Sequence, residues 1–294
     1  MEVQAPRTLD EALEMKAARP ESVPIAGGTD LMIDLNFHRR RPPVLMDVSR
    51  LPELCAWRRD DDTMVLGAGI IYSRVIAELR EFVPLVQAAR SIGSPQIRNR
   101  GTVGGNVGTA SPAGDVLPVL AAYGAEVLVA SGRRGVRAVS WSEFFRGPKK
   151  TCLAPDELIT GVRWRRSVGP GSFSKVGPRN AMVIAVASVC LVLDEARRGV
   201  RVALGSVGPT VLRAPAAEAE ITRAMARLGL WDDPRAPLAA HDSEAFGERV
   251  AEAARPIDDV RGTRTYRRHA CRVLARRALA WVLEDRRVPA GGIT

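Results

Sequence analysis

The chain has 294 residues, is 46% hydrophobic and 26% charged, and carries a formal net charge of +10. This length suits two domains, or one large domain, with an ordinary core. No run of about 18 to 20 apolar residues occurs, so no membrane span is predicted. The start of the chain, "MEVQAPRTLDEALEMK", is acidic and amphipathic and lacks the pattern of a secretion signal. We therefore expect a cytoplasmic protein.

The cysteines and the basic residues argue against two classes of ligand, metal ions and nucleic acid. Cysteines 55, 152, 190 and 271 are far apart and no CxxC motif occurs, so no zinc site or iron–sulfur cluster is predicted within this chain. Only four of the 43 basic residues are lysine, and the arginines are scattered rather than arranged in a stripe. That distribution disfavours nucleic acid. It favours an acidic protein partner or an anionic cofactor.

The first elements lead to a glycine-rich loop. Residues Thr8 to Glu11 form a capping box that opens a helix predicted to end near Ala18. Residues 22–25 are predicted to form a buried strand, which delivers the loop Pro24 to Leu31, "PIAGGTDL". The segment "LMIDLNF" then looks helical. This strand, loop and helix order places N–H groups where an anion can bind.

Beyond the first glycine-rich loop, the pattern of apolar residues predicts a series of short strands and helices. Gly67 and Gly69 suggest a dinucleotide motif, but Tyr72 occupies the position of the third glycine in G-x-G-x-x-G, so that fingerprint fails. The predicted strands are 44–48, 64–69, 126–130, 136–140 and 158–164, and the predicted helices are 73–79 with Ser73 as its cap, one from Pro84 through Ala89, and 116–123.

A second glycine-rich segment, Ile92 to Asp115, reads "IGSPQIRNRGTVGGNVGTASPAGD". Its glycines allow positive φ and close approach of a ligand, while its hydroxyl and amide side chains supply hydrogen bonds. Consecutive N–H groups in such a loop can hold a phosphate or pyrophosphate. Either glycine loop by itself could be only a tight turn with a helix cap. Arg98 and Arg100 could pair with phosphate or meet a partner subunit.

The Gly/Pro/Ser-rich stretch "RRSVGPGS" predicts a domain boundary, with domains 1–168 and 169–294. In the second domain, the odd-numbered positions over 183–193 are apolar, and so are most of the even-numbered ones. Because the two sets of side chains point to opposite faces of a strand, this pattern predicts a strand that is covered on both faces. Residues 199–207 are predicted to return as its hairpin partner. Three helices are predicted to follow at about 214–228, 243–254 and 262–284. The mixture indicates an α+β fold.

Four segments together carry a family resemblance: "PIAGGTDLM", the second glycine-rich segment, "FSKVGPRNAMVIAV" and "PIDDVRGTRTYRRHACRVLARRAL". In this order they resemble the FAD-binding subunit of the molybdenum hydroxylases, over nearly the whole chain. The bacterial xanthine dehydrogenase subunits are the most similar in detail. Carbon monoxide dehydrogenase flavoproteins usually carry His-Ser where Thr29 and Asp30 stand here.

The resemblance implies the fold. Residues 1–168 would form an FAD-binding domain like that of the vanillyl-alcohol oxidases, with two α+β lobes at about 1–55 and 56–168. Residues 169–294 would form a three-stranded antiparallel sheet backed by helices, as in the C-terminal domain of carbon monoxide dehydrogenase flavoproteins.

The resemblance also implies the cofactor-binding residues. The two glycine segments would hold the pyrophosphate of FAD, Asp115 would bind the adenosine ribose, Ile92 and Ile159 would pack near the flavin or its ribityl chain, and Lys175 would reach the cofactor. Without the resemblance, Asp115 could be an N-cap, Ile159 a core residue and Lys175 a solvated charge. The full set is Pro24, Ile25, Ala26, Gly27, Gly28, Thr29, Asp30, Leu31, Ile92, Thr102, Val103, Gly104, Gly105, Asn106, Ser111, Asp115, Ile159 and Lys175.

The function implied is electron transfer within an oxidoreductase complex, usually a heterotrimer. A large subunit would hold the molybdenum cofactor, a small subunit would hold [2Fe-2S] clusters, and electrons would pass through FAD to NAD+ or another acceptor. No catalytic or metal-binding residue is expected in this chain, since His38, His241 and His269 have no ligand partners at suitable spacing. The alternatives are the FAD subunit of a carbon monoxide, aldehyde or aromatic hydroxylase, a self-contained flavoprotein, and a cofactor-free basic scaffold.

Overall fold

A computed structural model describes residues 1–166 and 169–287, which fall into two compact units. The first comprises 1–79, 92–111 and 124–166, and the second contains 80–91, 112–123 and the described residues after 168. The boundary predicted at Val168 lies outside the described residues and stays a prediction. No helix in the described ranges is long and apolar enough to cross a membrane.

The first unit begins with a parallel three-stranded sheet in the order β1-β3-β2. The Thr8 hydroxyl caps the first helix by accepting from the N–H of Glu11 at 3.2 Å, but the Glu11 carboxylate accepts from Arg7 rather than Thr8. Strand β2 lies at the edge of the sheet with Pro24 exposed, so the expectation of a buried strand is wrong. The elements are β1 (Glu2–Gln4), α1 (Leu9–Ala18), β2 (Val23–Ile25), α2 (Leu31–Asn36) and β3 (Val44–Asp47).

An antiparallel five-stranded sheet, in the order β4-β5-β10-β6-β7, completes the first unit. Ser73 does not cap helix α3, because the helix begins at Tyr72 and Ile71 occupies the cap position. The strands are β4 (Trp57–Asp60), β5 (Thr63–Gly67), β6 (Glu126–Ser131), β7 (Gly135–Ser140), the short pair β8 (Phe145–Gly147) and β9 (Lys150–Thr151), and β10 (Leu158–Arg165). The helices are α3 (Tyr72–Glu78), α5 (Pro95–Arg98), α6 (Val103–Thr109) and α8 (Trp141–Phe144).

The second unit is built on an antiparallel sheet in the order β11-β12-β13-β14. Every residue of β12 is buried, which confirms a strand covered on both faces from Ala187 onward. The predicted start at 183 is wrong, because residues 183–186 precede the strand and Ile184 is 60% exposed. The predicted three-stranded sheet gains the two-residue strand β14 at its edge. The strands are β11 (Gly171–Val176), β12 (Ala187–Asp194), β13 (Gly199–Gly205) and β14 (Leu212–Arg213), and the helices are α4 (Val83–Ser91), α7 (Val116–Tyr123), α9 (Pro215–Arg227), α10 (Ala240–Ala253) and α11 (Arg264–Arg287).

A buried arginine joins three segments of the second unit. Arg267 is 3% exposed, and its guanidinium donates to the carbonyls of Val186 at 3.0 Å and Ser206 at 2.6 Å. It also donates to the Asp259 carboxylate at 2.6 Å. These bonds satisfy carbonyls where the sheet strands begin or end. Burying the charge is tolerated because it is both paired and hydrogen-bonded.

We predict that Arg267→Met destabilises the second unit. It would leave buried carbonyls without a donor, each costing about 1–3 kcal/mol. The melting temperature should fall by roughly 5 °C or more. Arg268→Met is the matched control, because Arg268 is the exposed neighbour on the same helix. Equal melting temperatures for the two variants would contradict the assigned role.

Candidate functional site

The first glycine-rich loop, between β2 and α2, presents a row of backbone amides. Among the described residues, no hydrogen-bond acceptor serves the N–H groups of Gly27, Gly28, Thr29 or Asp30. Gly28 has φ +73°, the left-handed region that glycine enters without strain. The loop is half-buried apart from exposed Asp30 and Pro24. Neighbouring free amides of this kind form a concave surface that favours an anion.

The second glycine-rich segment is not the open loop that we expected, because it contains α5 and α6. The N–H groups of Val103 and Gly104 donate to the carbonyls of Ile70 and Ala68, at 3.0 and 2.8 Å. The N–H of Gly105 donates to the Thr102 hydroxyl at 3.0 Å. The amides of the first turn are therefore satisfied within the chain. Gly93, near the start of the segment, has φ +46°, whereas none of the glycines from 101 to 114 uses the positive φ that glycine allows.

Close packing explains a glycine inside helix α6. A Cβ at Gly104 would lie 2.5 Å from the Cβ of Ala68, a distance that real side chains do not reach. At Gly108, on the same helix, a Cβ would meet only Ile159 Cδ1 at 3.4 Å, which is an ordinary contact. At Gly104, helix α6 therefore packs directly against Ala68, the residue that follows β5. The spacing of Gly67 and Gly69 suggested only a dinucleotide motif, and nothing in the sequence pattern indicates that Ala68, between them, contacts Gly104.

The structure brings the two glycine-rich segments together. A Cβ at Gly27 would lie 2.0 Å from the carbonyl oxygen of Arg100 and 2.9 Å from Gly101 Cα, so the backbones touch at this point. The Thr109 hydroxyl donates to the Asp30 carboxylate at 2.9 Å, although the two residues are 79 positions apart. The free amides of the first loop thus lie beside the second segment.

The polar groups around this junction fit a ligand that carries both anionic oxygens and hydrogen-bond donors. The free amides of the first loop can donate to phosphate oxygens. The side-chain oxygen of Asn106 is buried and has no partner among the described residues, so it can accept from a hydroxyl or N–H. A nucleotide with a diphosphate carries both kinds of group. The residues present therefore fit FAD.

Three other predicted residues lie in the first unit. Ile159 is half-buried beside Gly108, and Ser111 is half-buried after α6. The carbonyls of Ile92 and Gly93 each accept from the Arg98 guanidinium at 2.9 Å. The Arg98 side chain therefore holds the first residues of the second segment in place. The carbonyl of Arg100, which is an exposed residue, contacts Gly27.

Asp115 and Lys175 form a buried ion pair in the second unit, with Lys175 Nζ 2.6 Å from Asp115 Oδ2. The ammonium also donates to the carbonyls of Ser91 at 2.8 Å and Val183 at 3.0 Å. Lys175 is therefore not a solvated charge. Burial raises the pKa of Asp115 to about 6, although Lys175 and the Ser91 hydroxyl act in the opposite direction. Its other oxygen, Oδ1, is buried without a partner among the described residues.

The described residues offer no metal site, since no group of three or more His, Cys, Asp or Glu side chains is arranged to hold an ion. The four cysteines are free thiols. Cys190 is fully buried in β12, and burial raises the pKa of its thiol.

Residues 1–164 match a family model described as the FAD binding domain in molybdopterin dehydrogenase. The chain belongs to this family of FAD-binding subunits of molybdenum hydroxylases, which are oxidoreductase components with FAD as their cofactor. The predicted family and the predicted cofactor are confirmed.

Particular relatives support this assignment. Caffeine dehydrogenase subunit beta of Pseudomonas sp. (strain CBB1) is 35% identical over 72% of this chain and 75% of its own. The xanthine dehydrogenase FAD-binding subunit of Escherichia coli O157:H7 is 29% identical over 93% of this chain and 92% of its own. The nicotine 6-hydroxylase medium subunit of Paenarthrobacter nicotinovorans is 30% identical over 94% of both chains.

Solved structures share the fold. A carbon monoxide dehydrogenase chain from Hydrogenophaga pseudoflava superposes with a TM-score of 0.83 at 25% identity, covering 97% of both chains. A chain of quinoline 2-oxidoreductase from Pseudomonas putida 86 gives 0.85 at 22% identity, again covering 97% of both. The predicted α+β fold class is confirmed.

We predict opposite effects from adding one methyl group at two positions of α6. Gly104→Ala should lower the melting temperature of the first unit, because the new Cβ collides with Ala68. Gly108→Ala should leave it unchanged or raise it, since alanine is favoured over glycine in a helix by about 1 kcal/mol. Differential scanning calorimetry measures both. Equal effects would contradict the packing assigned to Gly104.

We predict that Asp115 and Lys175 are energetically coupled. Removing one partner of a buried pair leaves the other charge uncompensated, at a cost of about 3–5 kcal/mol. Asp115→Asn and Lys175→Met should each lower the unfolding temperature, and the double variant should recover most of the loss. Thermal unfolding of the three variants tests this. A double variant whose loss equals the sum of the single losses would show that the pair is not coupled.

Proposed function

We propose that this chain is the electron-transferring FAD subunit of a three-subunit molybdenum hydroxylase of the xanthine dehydrogenase type. In this proposal it accepts electrons from an iron–sulfur partner and delivers them to NAD+ or another acceptor. The observation that carries the proposal is the row of free amides at Gly27 to Asp30, held against a second glycine-rich segment. Bound FAD would supply the redox chemistry, which amino-acid side chains do not provide.

The first loop does most of the anion binding in this proposal. Its N–H groups donate to the diphosphate, and Gly28 turns them toward one side. Residues 24–26 and Leu31 hold the ends of this loop, where β2 stops and α2 starts. The Asp30–Thr109 hydrogen bond keeps the carboxylate of Asp30 occupied near the amides.

The second segment contributes shape and side chains. Because the amides of residues 103–105 are already bonded, we propose that Thr102 to Asn106 act through the close packing of α6 and the free oxygen of Asn106. Ser111, Ile92 and Ile159 remain proposed contacts to the cofactor. In the second unit, we propose that Oδ1 of Asp115 accepts a hydrogen bond from the ribose while Lys175 holds the carboxylate charged and oriented.

The partners follow from the same assignment. Several relatives are named as subunits or medium subunits of dehydrogenases and hydroxylases. We propose that this chain likewise assembles with an iron–sulfur subunit and a molybdopterin-binding subunit. Co-purification of flavin, iron and molybdenum with the tagged chain would support this. A yellow chain that purifies without either metal would instead favour a self-contained flavoprotein.

We predict that Gly27→Ala abolishes flavin binding. The added Cβ would lie 2.0 Å from the Arg100 carbonyl oxygen, so the two glycine segments must separate. The FAD-to-protein ratio should fall at least tenfold, as measured by absorbance after denaturation. Gly199→Ala is the control, since a Cβ there meets no atom within 4 Å. Full FAD occupancy in Gly27→Ala would overturn the assignment of the loop.

A further inference from the structure

Helix α2 presents apolar side chains that the described residues do not cover. None of its six residues, Leu31–Asn36, is buried. Met32 and Ile33 are 44% and 48% exposed, and Phe37, directly after the helix, is 68% exposed. Helices shorter than about 12 residues are marginal in water, and most helix stability in proteins comes from packing an apolar face. An exposed apolar face on so short a helix therefore indicates a surface that another molecule covers.

The residues after α2 add unpaired positive charge to this face. Arg39, Arg40 and Arg41 are exposed, and no carboxylate among the described residues forms an ion pair with any of them. This contrasts with arginines such as Arg137 and Arg213, which each pair with a glutamate at 2.7–2.8 Å.

Arg39, Arg40 and Arg41 nevertheless make contacts that hold them beside the helix. The N–H groups of Arg39 and Arg40 both donate to the Asp34 carbonyl, at 2.8 and 3.3 Å, which folds the run back on the helix. The Arg39 guanidinium lies 5.2 Å from the centre of the Phe37 ring. Arg41 contacts His38 at 2.9 Å. The charges are thus held beside the apolar side chains.

We propose that this surface, comprising Met32, Ile33, Phe37, Arg39, Arg40 and Arg41 and here called the α2 surface, docks a partner polypeptide whose apolar patch is ringed by carboxylates. Exposed aromatic, methionine and arginine side chains are the types enriched in protein interfaces, whereas lysine is depleted. Arginine pairs with carboxylates through two parallel hydrogen bonds, which fixes orientation as well as charge. Three cations and three partly exposed apolar residues form a weak membrane anchor by comparison.

This inference rests on the proposed function, because the partner is a subunit of the same complex. Helix α2 leads directly out of the amide-bearing loop, and six helical residues span only about 9 Å. A polypeptide on the α2 surface would therefore sit about one short helix from the loop that we assign to the cofactor. Such a position suits a subunit that exchanges electrons with it.

The experiment compares the tagged complex from the natural host with two variants. The α2-surface variant combines Phe37→Ser with Arg39→Glu, Arg40→Glu and Arg41→Glu. The control combines Val136→Ser with Arg146→Glu, Arg223→Glu and Arg277→Glu, which makes the same change in charge and also replaces one exposed apolar side chain, at other exposed sites. Partner polypeptides per chain, FAD per chain and melting temperature are measured for each at increasing salt concentration.

We expect the α2-surface variant to lose its partner polypeptides at least tenfold while keeping FAD and the melting temperature of the control. Partner binding by the wild-type chain should weaken with salt, as charge pairing requires. Retention of the partners by the α2-surface variant, with unchanged salt dependence, would overturn the docking surface. So would a wild-type chain that carries FAD but no partner at any salt concentration.

Two further results separate this inference from the proposed function. A wild-type complex without flavin would refute the proposed function, while loss of partners from the α2-surface variant would still support the docking surface. Binding to phosphatidylserine vesicles supplies the other comparison. If the variant loses vesicle binding and keeps its partners, the surface meets a membrane and the docking proposal fails.

Discussion

The first unit depends on two places where one backbone lies too close to its neighbour for any side chain between them. At Gly27 the first loop touches the Arg100–Gly101 backbone, and at Gly104 helix α6 touches Ala68. These contacts hold segments that are distant in the sequence so close together that their backbones touch. The Gly27 contact brings the amide row beside the second glycine-rich segment, to which the Asp30–Thr109 bond also joins it. Glycine is required at these positions for space, whereas Gly28 is required for its φ angle.

The two glycine segments consequently have different tasks, although their compositions look alike. The amides at the start of α6 are used to fasten that helix to the carbonyls of Ile70 and Ala68. The amides of the first loop have no such partners among the described residues. In the proposed function an anionic ligand would be met mainly by the first loop, and the second segment would form the wall beside it. This division would separate ligand binding from support and so preorganise the site.

The second unit obtains its order from buried polar groups as well as from its apolar core. Strand β12 is buried along its whole length, and both Arg267 and the Asp115–Lys175 pair connect segments around the sheet. Each buried charge has a partner and additional hydrogen bonds, which is the condition for tolerating it in a low-dielectric interior. The three arginines after α2 differ from these buried groups, because they are exposed, consecutive and without a carboxylate partner among the described residues.

One could predict from the sequence alone the family, the α+β class, the order of most elements and most of the doubly covered strand β12. Hydrophobic periodicity and short motifs are local properties, and they can be read without knowing which segments meet. The same information predicted an open loop in the second glycine-rich segment, a buried strand at residues 22–25 and a Ser73 cap, and these were wrong. The fold was needed to show which amides stay free, why Gly104 lies inside a helix, and that Lys175 is paired rather than solvated. Those outcomes depend on contacts between residues that are tens of positions apart. Hydrophobic periodicity and short motifs do not indicate such contacts.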